Sequence, residues 1–219
     1  TAIRRQRQMC IRDRFIAALV SLPIVVTLLS LAQPAGPIWG HLRETVLNEY
    51  VLNTLTLMML TGGISLLLGV STGWLIGACQ FRGRATLSWL LMLPLASPAY
   101  IVAYVYTDLL EVSGPVQTTL RLWFSLGIND LQFPPIRNLT GAAVLLSLVL
   151  YPYIYLLCRN SFAGRSGVQF DAARVLGHGP FSAFFRVALP AARPAIFGGL
   201  ALVLMETLAD FGVVSYFSV

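Results

Sequence analysis

Apolar runs alternate with short polar segments along this chain, and the length of the runs sets the first expectation. Five are drawn: about Phe15 to Ala32, interrupted by Pro23; Leu52 to Cys79; Leu87 to Leu110; Gly141 to Leu157; and a run that begins near Pro194 and is still in progress at Val219. Crossing a bilayer core takes roughly 20 residues of helix. The pattern therefore predicts an all-α fold, a polytopic transmembrane helical bundle with about five spans.

Composition agrees. Of the 219 residues, 57% are hydrophobic and 11% charged, where soluble domains carry about 25% charged residues. No lysine is present, so all 15 basic charges are Arg. Arg82, Arg84, Arg159, Arg165, Arg174, Arg186 and Arg193 fall in one set of loops, and Arg43, Arg121 and Arg137 in the other. Positive charge resists translocation, so the first set is expected in the cytoplasm.

That count leaves out the N-terminus for a reason. The string Arg4 to Arg14, RRQRQMCIRDR, resembles the frame translation of a transposon-end sequencing adapter, which makes residues 1–14 an expected artefact and starts the native chain near Phe15. Without the five Arg and Asp13 of that stretch the net charge falls from +6 to +2. Cys10 goes with it, and Cys79 and Cys158 read as small buried hydrophobes, with neither a disulfide nor a metal site implied.

Inside the runs, Ser65, Gly69, Gly73 and Gly77 recur every four residues, a stripe that lets another helix backbone approach closely in lipid. Pro94, Pro98 and Pro152 are expected to kink or break their helices. Glu206 and Asp210 are the acidic residues well inside a run, spaced i, i+4 and hence expected on one helical face. Two readings stand for them: they line a translocation path, or they bond polar groups of neighbouring helices. Glu44, Glu49, Asp108, Glu111 and Asp130 read as solvated loop charges. His41 and His178 are isolated, and no metal ligand set is assigned. No phosphate-cradling G-x-x-x-x-G-K loop or nucleophile elbow occurs, so the chain is expected to be a non-enzyme that binds no cofactor.

Between the last two runs lies a patterned segment. Phe170, Ala173 and Leu176, then Phe181, Phe184, Phe185 and Ala188, fit helical spacing, with Gly177-His178-Gly179-Pro180 as a breaker. The pattern predicts two short helices, whose apolar side suits either the membrane interface or a groove in a soluble partner. Asp171-Ala172-Ala173, Gly177, Val187 and Leu189-Pro190 keep every spacing of the sequence E-A-A-x3-G-x9-I-x-L-P. The segment resembles the EAA loop of ABC importer permeases, departing in residue type at Asp171 and Val187. An acidic residue near the first helix start complements its dipole, Gly177 permits an unusual backbone angle, and Leu189 and Pro190 are expected to end the second helix.

The runs PLASPAYIVAYVY, LYPYIYLLCRNSF and METLADFGVVSYF are most similar to the ferric-iron branch of that family. The resemblance implies a permease that forms the pathway in the bacterial inner membrane. A cytoplasmic coupling loop of about residues 158–193 then engages ABC ATP-binding subunits, which hydrolyse the ATP. It also implies an extracytoplasmic substrate-binding protein and a second permease half, fused or separate, with residues 15–219 an incomplete first half. Membrane lipid is a partner and nucleic acid is not. Other substrates of the family, thiamine, a polyamine or an inorganic anion, remain alternatives, as does a secondary carrier in which Glu206 and Asp210 couple to protons.

Overall fold

The structure, a computed structural model, describes residues 2–31, 37–125, 127 and 135–217. Asp130 and the end of the fifth run beyond Phe217 lie outside the described residues. Two compact units divide at Glu49 and Tyr50. The first holds α1 (Ala2–Leu31) and α2 (Pro37–Thr45). Pro23 sits inside α1 without ending it. The apolar stretch of α1 runs Ala17–Ser30, and its large side chains, Leu19 to Leu29, are exposed.

The second unit is built around α7 (Leu139–Ala163), which together with α3 (Leu47–Ala78) is long and apolar enough to cross a membrane. Asn138 starts α7 by accepting a hydrogen bond from Gly141 N at 2.7 Å, the usual N-cap arrangement. Buried side chains then occur all around α7, from Ala142 to Phe162. Pro152 is fully buried within it and the helix continues, so only Pro94 and Pro98 mark a break.

Close approach makes α7 the hub. A β-carbon at Gly69 would stand 2.6 Å from Ile154 Cβ, one at Gly73 2.8 Å from Cys158 Cβ, and one at Gly77 2.9 Å from Phe162 Cβ. On the side of α11 (Arg193–Ala209), a β-carbon at Gly199 would stand 2.7 Å from Ile154 Cα. The glycines thus let two helices touch the same backbone, and Ile154 is held between them. Ser147 Oγ adds polar links, donating within reach of the Ala143 carbonyl at 2.5 Å and the Thr61 carbonyl at 3.3 Å.

The third run is not one straight helix. It divides into α4 (Arg84–Leu90), a 3-10 turn at Leu93–Ala96, and α5 (Ala99–Leu110), which leads into α6 (Pro115–Phe124). The segments Arg84–Ala96 and Ala99–Phe124 meet at 97°. Pro94 and Pro98 cannot donate to the ladder, so carbonyls of the preceding turns need other partners. Met92 N and Leu95 N bond three residues back, to Trp89 and Met92, which frees the carbonyls of Ser88 and Leu91. Two tyrosines of α7 take them up: Tyr155 Oη donates toward Ser88 O at 3.1 Å and Tyr151 Oη to Leu91 O at 2.9 Å.

Charges at the N-terminal end of α7 are tied down. Arg137 pairs with Glu111 at 3.1 Å and lies 5.1 Å from the centroid of the Tyr216 ring. Glu111, expected as a free loop charge, is therefore an ion-pair partner.

Candidate functional site

The patterned segment folds as a helical hairpin on the C-terminal ends of α3 and α7. Because α7 runs on to Ala163, the hairpin occupies residues 164–192, shorter at its start than the expected 158–193. Its first arm is α8 (Arg165–Val175). Asp171 consequently lies in the body of that helix rather than at its start, and the dipole role expected for it does not apply. Gly177 adopts φ +88, with its N–H bonded to Arg174 O and that of His178 to Ala173 O, each at 3.1 Å. Those two bonds close a Schellman motif, which needs a left-handed residue and favours glycine.

The second arm starts with Gly179 as cap and Pro180 at the first turn of α9 (Pro180–Ala183), a position that suits proline. A π-helical segment, Phe184–Ala188, follows, in which Leu189 N bonds Phe184 O five residues back. Pro190 has no N–H for the Arg186 carbonyl, and the widened turn is the local response. The arm does not stop at Leu189 and Pro190 as expected. It passes through α10 (Leu189–Ala191) to Ala192, where the chain bends 65° into α11.

Burial divides the hairpin into two faces. Ala173, Ala183 and Ala188 are buried, while Asp171, Ala172 and Arg174 are exposed and Val187, Leu189 and Pro190 are half-buried. The inner face is organised by Trp74 of α3, whose ring lies 5.1 Å from Phe162, 4.8 Å from Phe170 and 4.6 Å from Phe184, centroid to centroid. One side chain thus touches a second span and both arms. Sequence reasoning passed over Trp74; its one signal was an aromatic residue beside Gly73, inside the small-residue stripe. The outer face carries Val168, Val175, Leu176, Phe181 and Phe185, all exposed, with Leu176 at 81% and Phe181 at 79%. Of the apolar positions expected to form one side, Phe170, Ala173, Phe184 and Ala188 point inward and Leu176, Phe181 and Phe185 outward.

Glu206 and Asp210 do not share a helical face. Asp210 leaves the helix at φ −81, ψ 88, and its Oδ1 accepts from Val213 N at 2.8 Å to cap α12 (Phe211–Phe217). A short polar side chain that can satisfy its own downstream backbone competes with helix continuation, which is why the fifth run breaks there. Asp210 also borders a cavity of about 290 Å³ between the first half of α3 and the α11–α12 junction, with Asn53, Thr54 and Thr207 contributing polar groups. Glu206 is half-buried and outside that lining. Replacing Asp210 by Ala is expected to cost about 1 kcal/mol of stability through the lost cap, and by Asn only a few tenths. Thermal midpoints of the purified variants check this ordering.

The inner membrane component of binding-protein-dependent transport systems is the family whose model matches residues 65–218. A molybdenum transport system permease protein of Escherichia coli K12 is 29% identical over 164 residues, covering 75% of this chain and 69% of that protein. A sulfate transport system permease protein of the same strain is 22% identical over 206 residues, covering 92% and 70%. A spermidine/putrescine transport system permease protein of Haemophilus influenzae is 32% identical over 178 residues, covering 80% and 60%.

Proposed function

Because the chain belongs to the family of binding-protein-dependent transport system inner membrane components, we propose that its hairpin is the element through which ATPase subunits drive a transport cycle. The chain is an ABC importer permease, a multi-pass inner-membrane transport subunit and not an enzyme. ATP-binding subunits, a substrate-binding protein and a second permease are the partners this family implies.

One observation carries the coupling role: the hairpin keeps an apolar outer face in the open while its inner face is locked to two spans through Trp74. A small amphipathic element of that kind suits a hydrophobic groove on a soluble partner. Docking from outside would move the ends of α3 and α7 together, biasing two arrangements of the spans. The excess of Arg on this end supports a cytoplasmic hairpin. We take residues 15–219 as the permease part, with the adapter-like residues 1–14 outside it.

The cavity beside Asp210 is the proposed pathway element, with Glu206 left to a packing role. For the substrate, ferric iron rests on the resemblance of three sequence runs alone. The relatives' printed names are molybdenum, sulfate and spermidine/putrescine, which favours the alternatives of an inorganic anion or a polyamine.

Gly177→Asp tests the coupling role. No atom lies within 4 Å of a β-carbon at that position, so the fold has room, while a charge enters the outer face and φ +88 is strained for Asp less than for most residues. ATP-driven uptake in reconstituted vesicles should fall to background at unchanged membrane abundance, and Gly177→Asn, uncharged and tolerant of that angle, should keep most of it. Normal uptake by the Asp variant would overturn the proposal.

A further inference from the structure

At the hairpin end of the bundle a cavity of about 300 Å³ is lined by Ile76, Arg84, Ala85, Ser88, Trp89 and Arg159. From its composition and position we infer that it is a binding site for a phosphate group, supplied by the headgroup of an anionic phospholipid.

The two guanidinium groups differ in what they already do. Arg84 donates from Nε to Ile76 O at 2.7 Å and from a terminal nitrogen to Gly77 O at 3.4 Å. It thereby caps the C-terminus of α3, a favourable place for a cation. Of five N–H donors that leaves three for a ligand. Arg159 is half-buried on α7, and its side chain has no hydrogen bond or ion pair among the described residues. A half-buried cation with neither a counter-ion nor a protein acceptor keeps all five of its N–H donors for a ligand that enters the cavity. Within the second unit Asp171 is the one described carboxylate at this end, and it sits exposed on the first arm of the hairpin without an ion pair. An anion that reaches this cavity therefore meets free guanidinium donors and no competing carboxylate.

The rest of the lining states its class. Ser88 is nearly buried, and its Oγ lies 3.2 Å from Tyr155 Oη, whose one proton goes to the Ser88 carbonyl; the hydroxyl is therefore engaged with the tyrosine, and the guanidinium groups are left to meet a ligand. Two guanidinium forks present donors only, which matches a tetrahedral oxyanion with several acceptor oxygens. Trp89 is 74% exposed at the mouth, with Leu90 exposed next to it. An indole at this level suits the headgroup region of a bilayer, with leucine toward the acyl chains. Basic pockets between spans on the positively charged side suit anionic headgroups, and apolar neighbours favour that source over free phosphate. The site rests on the membrane reading of this chain but not on coupling or substrate, since it needs neither ATPase nor transport.

The test uses full-length protein in nanodiscs of phosphatidylcholine containing a minor fraction of phosphatidylglycerol, transferred to detergent and examined by native mass spectrometry. Wild type should retain phosphatidylglycerol over phosphatidylcholine. Arg159→Gln should lower that preference on the order of fivefold, the loss of about one cationic contact with the headgroup layer, and Arg159→Lys should restore part of it. Arg159 has no protein partner to lose among the described residues, so its Gln variant is expected to fold, and the Lys variant tells loss of charge from loss of fold. Inorganic phosphate added at millimolar concentration separates the sources. If it fails to displace the lipid, the headgroup is the ligand; if it displaces the lipid and binds in an Arg159-dependent way, the phosphate chemistry stands and its source is soluble. Equal retention of the two lipids by wild type, or an unchanged preference in Arg159→Gln, would overturn the inference.

Discussion

Alanine at Gly199 or Gly69 should lower the thermal midpoint of the purified protein by several degrees, while alanine at Gly198 or Gly63 should leave it unchanged. The four substitutions are chemically identical and differ only in what the added methyl meets. At Gly69 and Gly199 it would stand 2.6 Å from Ile154 Cβ and 2.7 Å from Ile154 Cα. Neither atom is the free end of a flexible side chain, so relief requires α7 to move away from α3 or α11. In lipid there is no hydrophobic drive to hold the helices together once packing is lost. Overpacking of this kind costs about 1–3 kcal/mol, which for a chain of this size is roughly 2–4 °C per kcal/mol. At Gly63 nothing lies within 4 Å, and at Gly198 the nearest atom is Leu157 Cδ1 at 3.7 Å. Heating the detergent-solubilised variants and measuring the fraction that still elutes as monodisperse protein makes the comparison. Indistinguishable midpoints for all four would refute the packing scheme.

Trp74→Ala should separate ATP hydrolysis from uptake. Trp74 joins Phe162 of α7 to Phe170 and Phe184 of the hairpin, so its removal leaves the outer face able to dock but breaks the contact that passes movement to the spans. Trp74 is half-buried, and its replacement by Ala costs a large part of the about 3–5 kcal/mol that a fully buried Trp would, enough to threaten the fold itself. Phe170→Ala is therefore the companion variant, because Phe170 belongs to the first arm alone and its loss loosens the hairpin without opening the span core. The expected result in the reconstituted complex is ATPase activity within about twofold of wild type, with transport per ATP reduced at least about tenfold in both variants, the effect of losing roughly 1.4 kcal/mol of coupling. Unchanged transport per ATP in both would remove Trp74 from the coupling path.

Local pattern carried much of this protein. Run length and apolar content are properties of consecutive residues, so the helical membrane bundle, α3 and α7 were legible without coordinates. Gly177 was legible too, because a breaker between two amphipathic stretches calls for a left-handed residue whatever surrounds it. The Ser65 to Gly77 spacing marked a face, although nothing in the spacing named α7 as its partner.

Tertiary structure decided what depended on residues far apart in the chain. Pro152 and Pro94 look alike in sequence, yet one lies in an unbroken helix and the other in a broken run whose exposed carbonyls find Tyr151 and Tyr155 some sixty residues away. Glu206 and Asp210 share a face only if the helix continues between and beyond them; the hydrogen bond from Val213 N to Asp210 ends it and sends the two carboxylates to different surroundings. The hairpin's apolar positions formed one set in the pattern, but packing on Trp74 sorted them into an anchored face and an open one. Periodicity records which residues avoid water or tolerate lipid. Which of them meet each other is set by the path of the chain, because a contact's energy belongs to two positions and the sequence shows each of them alone.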